Sequence, residues 1–246
     1  MDLQRSVAIS SEPGGIQVQF NHNRRQIAAI LALIAAPALA GQQQGCAPDP
    51  LSIMIPKLTI TDEPPLAQLL KVAFEKNICL GIAYQGKLSP SRPSTMENAP
   101  FNDVIRVLLP DFRVRTAGSV VDILRGMLQP TWLDYKLRRF QTLNASLEFN
   151  SLQLFFFARD QVYHPKEGYA GSLSESVRQN KVGPFTVHER SIFETLNMLV
   201  GGSSQGGAWV VNRRYRQSDA FPADKPFWTI IPYGGSLQDA LSRLTP

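Results

Sequence analysis

The sequence predicts an α+β protein made of two small βαβ-βαβ modules, each with helices packed on small mixed sheets. Two segments between residues 58 and 124 carry apolar residues at helical spacing, and apolar, β-rich stretches flank both of them. The same order of strand, capped helix and strand returns in a weaker form between residues 132 and 232. With 246 residues, 43% of them hydrophobic and 18% charged, the chain is long enough to build two such cores.

The first 40 residues are predicted to be a cleavable signal peptide. Arg24 and Arg25 precede an apolar run at 27–36, and the Ala-Leu-Ala segment at 38–40 has the small-x-small pattern of a signal-peptidase site. The run is shorter than the roughly 20 residues that a membrane-spanning helix needs, so we expect no membrane span after cleavage. An uncleaved anchor is the alternative, because the stretch ahead of the apolar run is long for a leader. A start codon placed too far upstream would explain that length.

Cleavage would remove three arginines and two carboxylates and lower the net charge from +5 to +4. A mildly basic chain of this size does not by itself indicate a polyanionic partner. A nucleic-acid partner would also have to lie outside the cytoplasm, so we expect none.

Residues 41–50, with three Gln, two Pro and two Gly, are predicted to form an extended linker. This linker contains Cys46, and the other cysteine of the chain is Cys79. In an oxidising compartment the two could form one disulfide that ties the mature N-terminus to the end of the first helix. Two unpaired thiols are the alternative, since Cys79 lies in an apolar strand where a buried thiol is stable.

The first module is predicted to span residues 51–126. Alternating apolar residues at 51–60 indicate a strand, and Asp62 or Glu63 is expected to cap the first helix. The apolar stripe of this helix consists of Leu66, Leu69, Leu70, Ala73 and Phe74. A buried strand is predicted to follow at 78–84.

A second strand–helix pair completes this module. We expect a short strand at 94–96, Asn98 as the helix cap and Pro100 as the first helical residue. The apolar stripe of the second helix consists of Phe101, Val104, Ile105, Leu108 and Leu109. The helix ends at Pro110, and a hairpin is predicted at 112–124 because β-branched runs flank an Ala-Gly turn.

The order of a strand, "PLAQLLKVAFEKN", "ICLGIAY" and "STMENAPFNDVIRVLLPDFRVRTAGSVVDIL" resembles the short secretin and TonB N-terminal domain, a β-α-β plus β-α-β module. The resemblance is clearest over residues 58–124 and weaker over 132–232. Asn77-Ile78 stands where family members often carry a Gly, and Pro110-Asp111 where they often show a Gly-Thr-Gly turn. The resemblance implies a periplasmic module that contacts partner proteins at secretins or TonB-dependent transducers.

The second module is predicted to span residues 131–246, with an opening strand at 132–140 and a helix at 146–160. Phe149, Leu152, Phe155 and Phe156 are expected to be its buried stripe. A strand is predicted at 182–187, and Ser191 and Glu194 form a capping box at the start of the next helix.

A strand at 208–211, a hairpin partner at 227–231 and a last capped helix from residue 236 complete the predicted order. The short strand, capped helix and hairpin of this half follow the order of residues 94–124. We interpret the similarity as an internal repeat, with chance as the alternative.

The sequence contains little evidence of catalysis. Gly202-Ser203-Ser204-Gln205-Gly206 matches the G-x-S-x-G nucleophile elbow, but a helix is predicted before it and a strand after it, which is the reverse of the order that the motif requires. Beyond the leader the histidines are His164 and His188, and neither has a second His or a Cys at metal-ligand spacing. We therefore predict no catalytic, cofactor-binding or metal-binding residue and no enzymatic activity.

The leading hypothesis is a non-catalytic periplasmic protein that contacts an envelope protein through exposed strand edges, with Val120 and Val210 placed on those edges. It would be an adaptor or a soluble component of a secretin- or TonB-linked assembly. The alternative is a module that binds an envelope polymer such as peptidoglycan through Arg213, Arg214 and Arg216.

Overall fold

The computed structural model describes residues 10–12, 15–17, 45–125, 131–162, 172–173, 179–212, 228–234, 238 and 241. Its strands are β1 (Ser10–Glu12), β2 (Gly15–Gln17), β3 (Met54–Ile60), β4 (Cys79–Tyr84), β5 (Ser94–Pro100), β6 (Arg113–Ala117), β7 (Val120–Leu124), β8 (Lys136–Gln141), β9 (Ala145–Ser146), β10 (Ser172–Leu173), β11 (Lys181–Val182), β12 (Thr186–Ser191), β13 (Gly207–Asn212) and β14 (Thr229–Pro232). Its α-helices are α1 (Pro65–Glu75), α2 (Phe101–Leu108), α3 (Leu147–Val162) and α4 (Ile192–Gly201). Short 3-10 helices at Pro50–Ser52 and Thr131–Asp134 precede β3 and β8.

The largest sheet has the strand order β14-β13-β4-β7-β6. Its three central strands, β13, β4 and β7, run parallel, and an antiparallel strand closes each side. Helices packed with mixed sheets confirm the predicted α+β class. The finer prediction, that each half packs on sheets of its own, is not confirmed, because β13 and β14 of the second half extend the sheet that β4, β7 and β6 of the first half begin.

Two small antiparallel sheets repeat one another. β3 pairs with β5, and β8 pairs with β12, in the same register: Lys57 faces Glu97 as Arg139 faces His188. One residue of each later strand, Asn98 or Glu189, has a positive φ (49° and 52°) and is skipped in the pairing. The residue opposite each of them is skipped as well, so the register is the same on both sides and neither strand carries an extra residue. Asn98 therefore lies inside β5 and is not the helix cap that the sequence predicts.

The amide contacts ahead of α1 and α3 repeat in the same way. The Gln68 side chain accepts a hydrogen bond from the Thr61 N–H (3.0 Å) and donates to the Thr61 carbonyl (3.2 Å). The Asn150 side chain makes the same pair of bonds to Leu143 (2.9 and 3.1 Å), again seven residues earlier in the chain. Neither Asp62 nor Glu63 caps α1, because Pro64 occupies the N-cap position and Gln68 satisfies the backbone from inside the helix.

The helices and strands enclose two apolar cores. One lies around α1 and α2, and the other lies around α3, α4 and Trp209. Cys79, Ala83 and Val120 belong to the sheet strands of the first half but pack into the second core. The two halves therefore share one boundary of buried side chains along β4 and β7.

Helix α3 is present as predicted, but it turns a different face inward. Its fully buried apolar residues are Leu147, Leu154 and Ala158, whereas Phe149 and Phe156 of the predicted stripe are half-buried. Asn150 and Ser151 also lie on the inward face, because each makes a hydrogen bond there. Asn150 donates to the Leu143 carbonyl, and Ser151 accepts from the Trp228 indole N–H (2.8 Å). Hydrogen bonding thus competes with apolar periodicity in this helix.

Elsewhere in the second half the predicted order holds with shifted bounds. The strand predicted at 182–187 is divided between β11 and β12, and the capping box at Ser191 and Glu194 is present with both reciprocal hydrogen bonds. The last predicted helix lies outside the described residues except for residues 238 and 241, which are helical. At the other end of the chain, β2 pairs with β1 and β10. Among the described helices, none combines the length and the apolar character that crossing a membrane demands.

Candidate functional site: strand edges and the groove beside β3

The G-x-S-x-G segment lies in the loop between α4 and β13, after a helix and before a strand. The Ser204 hydroxyl accepts a hydrogen bond from the Lys181 N–H (2.9 Å) and donates one to the Gln179 carbonyl (3.4 Å). These bonds hold the loop against β11. His188 is exposed on β12, and His164 lies outside the described residues. Within the described part of the chain, no three His, Cys, Asp or Glu side chains are grouped as metal ligands.

Cys46 and Cys79 form the predicted disulfide, with their Cα atoms 5.4 Å apart. Asn77 reinforces the link: its side chain donates to the Gly45 carbonyl (2.7 Å), and its own carbonyl accepts from the Ala47 N–H (3.0 Å). The loop of 33 residues that the disulfide closes corresponds to a stabilisation of about 3 to 4 kcal/mol in the chain-entropy model. The segment at 45–47 is therefore held against the start of β4.

Val120 and Val210 do not lie on sheet edges, so the predicted partner-binding edges are wrong. Val120 is paired with Cys79 on one side and with Ala117 on the other. Val210 lies on β13 between β4 and β14, and both valines are buried. Strands that are mostly apolar, as β7 and β13 are, belong inside a sheet, where both faces are covered.

The free edges among the described strands are elsewhere. β6 closes one side of the large sheet, and four of its five residues are exposed, including Arg113 and Arg115. β3 pairs only with β5, so the other side of β3 has no strand partner. The signal for β6 was present in the sequence as alternating charge, because charged side chains are typical of an edge strand.

The unpaired side of β3 borders a groove of about 450 Å³ that α1 closes from the other side. The residues that line it are Ile55, Pro56, Lys57, Leu58, Thr59, Thr61, Glu63, Gln68, Lys71, Val72, Glu75 and Lys76. Five consecutive residues of β3 take part. Since neighbouring side chains of a strand point to opposite faces, this lining indicates that the groove follows the strand edge.

The groove has an apolar floor and a charged rim. Ile55 and Val72 are buried, and Leu58 is half-buried. On the rim, Lys71 forms an ion pair with Glu63. Pro56 has no backbone N–H, which restricts one position of the edge but is tolerated where the strand has no partner on that side.

A buried polar cluster joins the two halves behind the large sheet. Asp122, fully buried on β7, accepts hydrogen bonds from the Asn197 amide (2.8 Å) and from Arg115 Nε (3.1 Å). The side-chain oxygen of Asn197, Oδ1, accepts a hydrogen bond from the Trp209 indole N–H (2.7 Å). Burial is the largest influence on Asp122 and raises its pKa, although the bond from Asn197 and the charge of Arg115 act in the opposite direction.

Gly81 allows this cluster to pack against β4. A Cβ at residue 81 would lie 2.6 Å from Cζ2 of Trp209 and 2.9 Å from Oδ1 of Asn197. Both distances are shorter than van der Waals contact, so only a glycine leaves room for the indole. We assign the cluster a structural role, because all of its buried polar atoms are satisfied by one another.

Arg213, Arg214 and Arg216 lie outside the described residues, so the structure does not place the predicted polymer-binding cluster. Comparison of the chain with protein-family models, with curated proteins and with solved structures finds no match.

Proposed function

We propose that this chain is a non-catalytic, exported interaction protein that binds an extended segment of an envelope protein along the free edge of β3. Its place would be the periplasm, as an adaptor or soluble component of a secretin- or TonB-linked assembly. The observation that carries the proposal is the groove between β3 and α1, which offers an unpaired strand edge and an apolar floor in one site.

The backbone of β3 supports an extended ligand. An edge strand presents unpaired N–H and C=O groups, and a peptide that adds as a further strand satisfies them. The large sheet contains an intramolecular example of the same event, since β13 adds in parallel to β4. The ligand side chains would alternate between the floor at Ile55 and Val72 and the solvent.

The rim indicates the charge of the partner segment. Lys57, Lys71 and Lys76 line the groove against Glu63 and Glu75, and the Lys71–Glu63 ion pair leaves one lysine in excess. A segment that alternates apolar and acidic side chains complements this surface. Lys57 faces outward on the strand itself and would meet the first acidic side chain.

The disulfide supports export. Disulfides form and persist in oxidising compartments such as the bacterial periplasm and are rare in the cytosol. Cys79 is buried and Cys46 half-buried, so the link belongs to the packed structure.

In-cell photo-crosslinking from Thr59 tests the proposed function. Thr59 is exposed on β3 and lines the groove, whereas Thr95 is the residue directly paired with it on β5 and lies outside the groove. A photoreactive residue at position 59 should yield one discrete adduct with an envelope protein, and mass spectrometry should map the adduct to an extended segment. The same residue at position 95 is the matched control and should yield none.

Identical adducts from both positions, or monomer alone from position 59, would overturn the proposal. Removal of a charge at the rim, Lys57→Gln, gives a second measurement. It should weaken the position-59 adduct several-fold if the partner segment is acidic and leave the amount of folded protein unchanged, because Lys57 is exposed and glutamine does not repel Glu97 across the strands.

A further inference from the structure

We infer that the outer face of the β8–β12 sheet is a docking surface for a bilayer of anionic phospholipid. This surface, called the β8 basic face below, consists of the exposed side chains Lys136, Arg138 and Arg139. It lies in the other half of the chain from β3, so the inference is independent of the proposed groove.

The basic face lies where the pairing of β8 with β12 is interrupted. Along β8, Leu137 and Phe140 are buried while Lys136, Arg138 and Arg139 are all exposed. A regular strand would turn one of two consecutive residues inward. Because Arg138 and Glu189 are skipped in the pairing with β12, both arginines reach solvent on the same short strand.

These three cations have no counter-ion in the described part of the chain. The charged and titratable groups beside them are Asp134, His188, Glu189, Arg190 and Glu194. Arg190 and Glu194 neutralise each other in an ion pair of 3.1 Å. Asp134 and Glu189 are exposed and make no ion pair within the described residues, and His188 faces Arg139 across the strands. The basic face therefore retains a positive excess.

The equivalent sheet of the first half serves as an internal reference. There the positions of Lys136, Arg138 and Arg139 are taken by Met54, Pro56 and Lys57, with the same pattern of exposed and buried residues. Lys57 faces Glu97, whereas Arg139 faces His188. The repeated framework thus does not require cations at the positions of Lys136 and Arg138, and the cluster of three cations without an opposing carboxylate, found on β8 and not on β3, indicates a ligand for that face.

A bilayer fits the shape of the face better than a small anion does. β8 is a six-residue strand, which spans about 20 Å, and its cations are exposed along that length. Arginine forks bind phosphate through paired hydrogen bonds, and basic side chains near an anionic membrane are each attracted to it. Tyr135 and Leu143, at the two ends of β8, are among the few large apolar residues that are exposed, at 37% and 38%. Apolar and aromatic side chains beside a basic cluster are typical of proteins that lie on a membrane surface.

Co-sedimentation of the full chain with vesicles tests this inference. Vesicles of equimolar phosphatidylglycerol and phosphatidylcholine should bind the protein, and vesicles of phosphatidylcholine alone should not. Replacing Lys136→Gln, Arg138→Gln and Arg139→Gln together should weaken binding roughly a hundredfold, since each cation near an anionic surface contributes about a fivefold gain. The single change Arg139→Gln should weaken binding about fivefold.

The matched control removes the same charge from the first half through Lys87→Gln, Arg92→Gln and Arg106→Gln, all at exposed positions. It should bind anionic vesicles within about twofold of the unchanged protein, because these residues lie off the basic face. Any contribution of the N-terminal apolar run is the same in all variants. Equal losses in the two triple variants, no binding to anionic vesicles, or tighter binding to soluble polyphosphate than to vesicles would each overturn the inference.

Discussion

The carboxylate of Asp122 connects the two halves of the chain through a hydrogen bond to Asn197, but its burial costs free energy. Its side chain is removed from water on β7, and the pKa of the carboxyl group is raised because burial disfavours the charged form. Asn197 and Arg115 recover part of that cost through hydrogen bonds, and Trp209 orients the Asn197 amide. A carboxyl that is harder to ionise when folded favours the folded state more at low pH than at high pH.

The substitution Asp122→Asn should alter the pH dependence of stability in a defined direction. As pH rises from near 3.8, the ordinary pKa of an aspartate, through the raised pKa of Asp122, the unchanged protein loses the stabilisation that proton binding provides. The asparagine variant cannot lose it, so the difference in unfolding free energy should shift in favour of the variant across that window. Chemical denaturation at a series of pH values measures the difference. A constant gap between the two proteins would show that Asp122 titrates as an ordinary aspartate.

The amide contacts of Gln68 and Asn150 explain why two helices begin where they do. Each amide lies at the fourth residue of its helix and binds backbone groups of the turn that joins strand to helix. A side-chain cap at the first position would satisfy one or two of the free N–H groups at the helix start. The buried amide instead satisfies the incoming turn, so each strand–helix junction is closed from inside.

The substitutions Gln68→Leu and Asn150→Leu should therefore cost similar free energies of unfolding. Each leaves partly buried backbone groups of the turn without a protein partner, which corresponds to a loss of about 1 to 3 kcal/mol. The control Gln85→Leu, at an exposed position after β4, should change stability by less than about 0.5 kcal/mol. Urea denaturation of the three variants gives the comparison, and a loss at only one of the two junctions would refute their equivalence.

Taken whole, the molecule is two similar strand–helix units that share a sheet. At the start of α2, the Phe101 N–H donates a hydrogen bond to the Ile53 carbonyl (2.9 Å). At the start of α4, the Ile192 N–H donates an equivalent bond to the Tyr135 carbonyl (3.1 Å). The two units differ in the large sheet, where β13 of the second unit pairs with the edge of β4 from the first unit. Each unit therefore completes part of the other's core.

A fragment of residues 45–126 tests this dependence. Without the second half, Cys79, Ala83 and Val120 would lose their buried partners and β4 would become an open edge. We expect the fragment to be less stable than the full chain by about 3 kcal/mol or more, or to self-associate through β4. Denaturation and light scattering distinguish these results. A monomeric fragment as stable as the full chain would instead support two independent modules.

Local features of the sequence were sufficient to predict most of the elements. Turn residues and 3.6-residue periodicity identified α1, α2 and the β6–β7 hairpin, and the Ser191–Glu194 capping box located the start of α4, because each of these signals acts within a few residues. The two cysteines left a disulfide and two free thiols as alternatives, and the structure contains the disulfide. For α3 the helix was predicted but its face was not, since Asn150 and Ser151 are held inward by hydrogen bonds that apolar periodicity does not include.

Only the tertiary structure decided which strands are neighbours. It therefore also decided where the candidate site lies. The strands that contain Val120 and Val210 have a composition typical of both edge and central strands. The place of Val210 inside the sheet depends on pairing between residues more than 100 positions apart, such as Val210 with Ile82. The groove beside β3 and the basic face of β8 also depend on long-range pairing. In the first case the pairing leaves one strand edge open, and in the second it is interrupted beside two adjacent arginines that both face solvent. The sequence alone determined the elements because helix and turn formation is local. The open edges and exposed charges required the fold because they depend on which distant segments meet.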